Sequence, residues 1–264
     1  MFRNILDEII AVKRKEIAEK KIKLSLEKLI KRLKKVGPPR DFKKSVFNRK
    51  GVSIIAEIKR FSPSAGALRD SIDPFKLARL YQENGASAIS VLLDKRFFGG
   101  SLEDLEKVRK ATFLPVLAKE FIIDEYQIYE ARLKGADAIL LIARILDEEK
   151  LLHFSKIIQD LNLACIVEIH SPEEVKKLFS LPSSVIIGIN NRNLKNFKVD
   201  LSTTKLILNL IPPDRMIISE SGIKEVQDIK KLRNAGISVF LIGEAILRSE
   251  DPAKKLRELC YGKS

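Results

Sequence analysis

From Val52 onward, short apolar runs alternate with stretches whose apolar residues recur every three or four positions. The runs are VSIIAEI (52–58), SAISVLL (87–93), PVLAKE (115–120), DAILLIA (137–143), ACIVEI (164–169), SVIIGIN (184–190), RMIISES (215–221) and SVFLIG (238–243). Each has the length of a buried strand. Between them lie helical patterns such as DPFKLARLYQENG (73–85), SLEDLEKVRKA (101–111), DEYQIYEARLKG (124–135) and SPEEVKKLF (171–179), and DPAKKLRELC (251–260) follows the eighth run. Many open on Asp or Ser, whose side chains can cap a first turn, and several close on Gly or Asn. Strands alternating with helices pair in parallel, and eight such units in about 210 residues fit an α/β fold of the (β/α)8 TIM-barrel type. An open doubly wound sheet is the alternative, but it would leave two edges and no pattern protects them. Gly85, Gly135 and Gly236 each stand between a helix end and the next strand, where a left-handed residue ends the helix.

Residues 1–50 read differently. Phe2, Ile5, Leu6, Ile9, Ile10 and Ile17 fall on one helical face, and Leu26, Leu29, Ile30 and Leu33 on a second, with Ser25 as N-cap. Gly37-Pro38-Pro39 ends that second helix. Two amphipathic helices need a surface to cover. The expectation is one domain, 1–264, with residues 1–50 as a helical extension packed at the barrel mouth.

Charge is concentrated in that extension. The 264 residues carry a net +14, but residues 1–50 hold 17 Lys and Arg against 6 Asp and Glu, and the remainder is nearly neutral. No aromatic interleaving or nucleic-acid motif accompanies the basic stretch, so it reads as the solvated lysine face of amphipathic helices, with no nucleic-acid partner. A basic lid can still steer a small polyanion. No stretch reaches the ~18 apolar residues of a membrane span, and the N-terminus lacks the apolar region of a signal peptide. Cys165 and Cys260 are far apart, and the only histidines are His153 and His170. No zinc-type spacing exists, and a reducing cytoplasmic setting is expected. His153 reads as a surface residue and His170 as a neighbour of a helix cap; neither is assigned a role.

In a parallel barrel the chemistry sits where the strands end. Glu57 and Lys59 lie two apart on the first run and therefore share a face. Lys119 and Glu168 end the third and fifth runs. The sixth run gives Asn190 at its end with Arg192 beyond it, the seventh Glu220 and Ser221 followed by Gly222, and the eighth Gly243 followed by Glu244. A charge buried alone is costly, so these groups must be paired or used. Two lysines and two glutamates converging from three strands favour acid–base chemistry over a ring of structural ion pairs. Such lysines serve best as acids if the pocket lowers their pKa towards neutrality. The turns at Ser62-Pro63-Ser64-Ala65-Gly66, Ser221-Gly222 and Gly243-Glu244 are tight and small, as phosphate-holding turns are. Phe97, Phe98 and Phe121 either pack under the extension or wall a ring-bearing substrate.

The segments IAEIKRFSPSAG, LAKEFIID, GADAILLI, VEIH, IGINNRNLKNFKVD, SESGI and FLIGEAILRSEDP, in that order, resemble indole-3-glycerol-phosphate synthase over essentially the whole chain. The resemblance implies a lyase of tryptophan biosynthesis that needs no metal or organic cofactor. It implies ring closure of 1-(2-carboxyphenylamino)-1-deoxyribulose 5-phosphate with loss of carbon dioxide and water. On that resemblance Lys119 is the general acid, Glu168 the glutamate that stabilises cations and takes a proton, and Lys59 holds the substrate carboxylate or donates a proton, oriented by Glu57. Asn190, Arg192, Glu220 and Ser221 complete the polar pocket. Ser62, Gly222 and Gly243 fall at the phosphate, and Phe98 and Phe121 beside the anthranilate ring. Glu244 is expected to offer its backbone N–H to phosphate and turn its carboxylate away. A monomer is expected, with a weak homodimer as the alternative. Phosphoribosylanthranilate isomerase, a rival barrel, would place a cysteine at the end of the first strand, where this chain has Glu57 and Lys59.

Overall fold

The computed structural model describes residues 5–63, 66–69, 72–193 and 198–262. Phe2, Ser64, Ala65 and residues 194–197 of the IGINNRNLKNFKVD segment lie outside the described residues. Eight parallel strands close into a barrel: β1 Ser53–Ile58, β2 Ala88–Leu92, β3 Val116–Lys119, β4 Ala138–Ile142, β5 Ala164–Ile169, β6 Ile186–Asn190, β7 Ile217–Glu220 and β8 Val239–Ile242. Each pairs with its sequence neighbour, and β1 closes on β8 through Ser53–Val239 to Ala56–Ile242. Helices separate the strands, as the alternating pattern predicts. One connection differs: Pro172–Leu178 is a 3-10 helix rather than an α-helix. Gly85, Gly135 and Gly236 all take positive φ before a strand.

The register decides which side chains meet at the mouth. Ile142 pairs with Glu168, Asn190 with Glu220, and Leu92 with Lys119. The ends of β3, β5, β6 and β7 therefore present Lys119, Glu168, Asn190 and Glu220 at one end of the barrel.

The extension holds three helices: α1 Ile5–Lys23, α2 Leu26–Leu33 and α3 Phe42–Phe47. Ser25 caps α2 by accepting the Lys28 N–H. The third helix escapes sequence periodicity because six residues offer one i,i+4 apolar pair, Phe42 and Val46. These two enter the barrel-interior cluster with Ala88, Ala138, Ala164, Ile186 and Val239, the first residues of their strands. The Arg40 N–H donates to Asp137, Ser45 Oγ to the Ser87 carbonyl and Lys43 Nζ to the Ser184 carbonyl, each just ahead of a strand. So α3 closes the end opposite the mouth. Burying Phe42 and Val46 contributes about 1.5–3 kcal/mol each.

At the other end, Leu6 and Ile9 of α1 pack in the same cluster as Phe121, Phe97 and Phe98. Lys13 is 3% exposed and lies 2.8 Å from Asp94 and 3.1 Å from Glu120, which follow β2 and β3. Burial alone would lower its pKa, but Glu120 and Asp94 raise it. The helix α2 packs outside the barrel on Glu125–Leu133. The extension thus reaches both ends of the barrel, and the expectation of a wholly solvated lysine face fails at Lys13.

Candidate active site

The mouth holds a cavity of about 1030 Å³. Glu57, Lys59, Ser62, Phe98, Lys119, Phe121, Glu168, Asn190, Arg192, Ser221, Gly222, Gly243 and Glu244 all line it. Glu220 does not: it is fully buried behind Lys119. A residue expected on the wall is instead the tightest partner of the central lysine.

Lys119 Nζ lies 2.6 Å from Glu220 Oε2, 3.4 Å from Glu168 Oε2 and 3.7 Å from Glu57 Oε2. Lys59 Nζ is 2.5 Å from Glu57 Oε1. Burial works to lower the Lys119 pKa, yet Glu220, Glu168 and Glu57 together outweigh it and push it up. The expected drift towards neutrality does not occur, because Glu220 joins Glu57 and Glu168 around the one amine. Burial raises Glu57, but Lys59 and Lys119 outweigh it and hold the carboxyl below its usual range. Glu168 is lowered in the same way: burial opposes ionisation, while Lys119 and His170 favour it. Glu220 goes the other way. Burial pushes it up, Lys119 pulls it down, and the charge of Glu168 pushes it up again, for a net rise. Two acids on one lysine are thus driven apart, one to the ionised and one to the protonated form.

Room for these acids comes from two glycines. A Cβ on Gly243 would lie 2.7 Å from Glu57 Oε1 and 2.8 Å from Glu57 Cβ, and one on Gly188 would overlap Glu220 Oε1. Neither glycine has a positive φ, so the requirement is space. The sequence places Gly243 in a phosphate-type turn, and its closest constraint is Glu57. Gly188→Ala is expected to displace Glu220 from Lys119, cost about 1–3 kcal/mol as overpacking does, and lower kcat at least tenfold. Denaturant unfolding and turnover on one preparation check this; unchanged values in both would show that Glu220 moves freely.

The rings of Phe98 and Phe121 stand 5.9 Å apart at 34°. They line the cavity and also share an apolar cluster with Leu6 and Ile9, so the two readings of these rings coexist. Ser62 lies in a short hairpin in which Phe61–Ser62 pairs with Gly66–Ala67, where the sequence suggests only a turn. Asn190 Oδ1 accepts the Arg192 N–H at 2.9 Å. Glu244 Oε2 sits 2.9 Å from Arg192 Nη2, with Oε1 3.5 Å from Arg248 Nε. Its carboxylate is therefore tied to two guanidinium groups rather than only turned aside.

Sequence reasoning missed two supports. Asn191 Nδ2 donates to Ser219 Oγ and to the Glu220 and Ser221 carbonyls, while its Oδ1 accepts from Thr204. It holds the turn where Ser221 takes a positive φ. Nothing in the pattern separates it from the other polar residues of its loop. His170 Nε2 lies 3.0 Å from Glu168 Oε1. A signal existed there, since Glu168 and His170 are two apart and share a strand face. Among the described residues, no group of three or more His, Cys, Asp or Glu could hold a metal ion.

The chain matches the family described as indole-3-glycerol phosphate synthase over residues 6–259. Indole-3-glycerol phosphate synthase of Prochlorococcus marinus subsp. pastoris is 47% identical over 97% of this chain and 89% of the relative. The chain belongs to the indole-3-glycerol phosphate synthase family. The enzyme of that name from Alkaliphilus metalliredigens is 42% identical over 98% of each chain. The family places this protein among the lyases of tryptophan biosynthesis. Among solved structures, thiamine phosphate pyrophosphorylase from Pyrococcus furiosus aligns with a TM-score of 0.58 at 15% identity, over 83% of this chain and 96% of that one. N-acetylmannosamine-6-phosphate 2-epimerase from Clostridium perfringens aligns at 0.57 and 14%, over 78% and 90%. At such identity these two bear on the barrel fold alone.

Proposed function

We propose that the chain closes the ring of 1-(2-carboxyphenylamino)-1-deoxyribulose 5-phosphate, with loss of carbon dioxide and water, to give indole-3-glycerol phosphate. The observation that carries this reading is Lys119 set among Glu57, Glu168 and Glu220 below a cavity with an aromatic side and a cationic side. Phe98 and Phe121 suit the anthranilate ring. Arg192 and Arg248, with the turns at Ser62, Ser221-Gly222 and Gly243-Glu244, suit the phosphate. Lys119 protonates the ketone oxygen as the ring closes, because a hydroxyl must later leave. Glu168, kept ionised, stabilises the cationic intermediate and takes the proton that restores aromaticity. Lys59, set by Glu57, meets the substrate carboxylate.

The chain has no tryptophan. Product indole fluorescence is therefore readable directly, and purified protein that yields no such signal with this substrate would overturn the proposal. Glu244→Ser is expected to leave KM within about threefold, because Arg192 and Arg248 already neutralise that carboxylate. A tenfold fall in KM would show instead that Glu244 repels the phosphate.

We further take the chain as one domain that includes the extension, acting as a monomer in the cytoplasm without nucleic acid. Extension lysines Lys13, Lys20 and Lys21 are already paired to barrel acids, which supports the last point. The cysteines are free and buried, which suits a reducing compartment. No helix among the described residues is long and apolar enough to cross a membrane.

A further inference from the structure

Behind Glu168 stands a second line of charge that the reaction as proposed does not use. His170 is buried, with its two ring nitrogens facing two carboxylates: Nε2 is 3.0 Å from Glu168 Oε1 and Nδ1 is 3.6 Å from Glu174 Oε2. Glu174 is itself fixed. Its Oε2 accepts the His170 backbone N–H at 2.8 Å, and its Oε1 lies 3.2 Å from Arg144 Nε. Neither ring nitrogen makes a well-aligned hydrogen bond, and Nδ1 is beyond hydrogen-bond reach, so the attraction is one of charge: an imidazolium is drawn to both flanking carboxylates, a neutral ring is not. On its far side, Glu168 Oε2 faces Lys119 at 3.4 Å. Glu168 is thus gripped at one oxygen by the lysine that must move a proton, and at the other by a group with no access to substrate.

We propose that His170 is a positioning residue for Glu168: an imidazolium clamped between Glu168 and Glu174 that fixes the carboxylate's orientation and keeps it ionised while Lys119 changes partners. The inference rests on the reading of Glu168 as the proton acceptor. Burial lowers the His170 pKa, but Glu168 and Glu174 raise it to about 9, so the ring carries its charge at neutral pH. The charged groups facing it are Glu168 from β5, Glu174 from the 3-10 turn and Arg144 from the segment after β4. Lys119 and Glu220 act on it only through Glu168. Burial opposes ionisation of Glu174, while His170 first and Arg144 after it favour the anion, so Glu174 and the imidazolium hold each other.

The test compares His170→Ala and His170→Asn with the parent enzyme by kcat, KM and the acidic limb of kcat/KM. A carboxylate that swings free loses near-attack geometry, and misplacement of about 1 Å costs on the order of 100-fold. His170→Ala is therefore expected to lower kcat about 10–100-fold with KM within threefold. The acidic limb should move up by about one pH unit, because Glu168 loses a neighbouring cation. His170→Asn retains a donor without the charge, so it should recover part of kcat while the limb stays displaced. A role confined to packing would lower stability and leave the limb where it is.

Unchanged kcat and an unmoved limb in both variants would overturn the proposal. Should His170→Ala fail to fold, the ring itself can be read in the parent. The chain has only two histidines, so comparison with His170→Asn assigns the resonance, and a neutral imidazole at pH 7 would overturn the inference. Glu168→Gln separates the two readings. If it is inactive while the His170 variants behave as the parent, this inference alone fails; if it turns over normally, the acceptor assignment fails and takes the inference with it.

Discussion

Lys119→Ala is expected to lower kcat by about three to four orders of magnitude. General acid catalysis alone is worth ~10²–10⁴, and this lysine also positions its neighbours. Glu220, Glu168 and Glu57 all lie within 3.7 Å of it. Removing the cation leaves three buried carboxyl groups together, Glu57 and Glu168 ionised, and breaking a buried pair costs about 3–5 kcal/mol. The stability loss has a sign in pH. Lys119 favours the ionised form of all three acids, so the variant should be least stable at alkaline pH and recover as the acids protonate towards pH 5. Lys119→Met preserves the aliphatic stem and separates packing from charge. Steady-state turnover and denaturant unfolding at pH 5 and pH 8.5 check both parts. A kcat within tenfold of the parent, in protein that melts normally, would remove Lys119 from the chemistry.

Glu168→Gln should cost kcat about 10³-fold with a much smaller loss of stability. The amide has the same shape and cannot take a proton. It also cannot neutralise Lys119 or His170, at 3.4 and 3.0 Å. Part of the stability loss is recovered elsewhere. Glu220, already the tightest partner of Lys119, owes part of its rise in pKa to the charge of Glu168; it ionises more readily once that charge is gone and so balances the lysine's charge. KM should change little, since Glu168 meets developing charge more than the bound ground state. Single-turnover measurement isolates the chemical step, and a rate within tenfold of the parent would sink the assignment.

The barrel was legible because its signal is repetitive: eight apolar runs of strand length, spaced by helical patterns, admit few other arrangements. Glu57 and Lys59 were legible as a pair because alternation along one strand fixes their common face. The pairing of Lys119 with Glu220 was not, since 101 residues separate them and only the closed register brings them together. The direction of the Lys119 pKa failed for the same reason. A sequence states that acids are present, while barrel closure decides how many touch one amine. The helix α3 was invisible because its apolar pair is too short to establish a period, although Asp41 caps its first turn by accepting the Lys44 N–H. The space requirement of Gly188 and Gly243 was hidden because it depends on side chains from other strands.

The extension also bears on how the chain assembles during synthesis. Its anchors all come later in the chain: Glu120, Asp124 and Glu130 for α1, and Asp137 and Ser184 for the approach to α3 and α3 itself. The contact from Lys43 to Ser184 spans 141 residues. A nascent chain therefore carries α1 and α2 with their docking surface unmade until Glu125–Leu133 has been translated, and α3 lacks its Ser184 contact until the approach to β6. Contacts of such separation are closed late, because loop entropy opposes them until the intervening strands are paired. The segment made before the barrel waits for its partners, and through that interval its net positive charge helps to keep it from associating with its own kind.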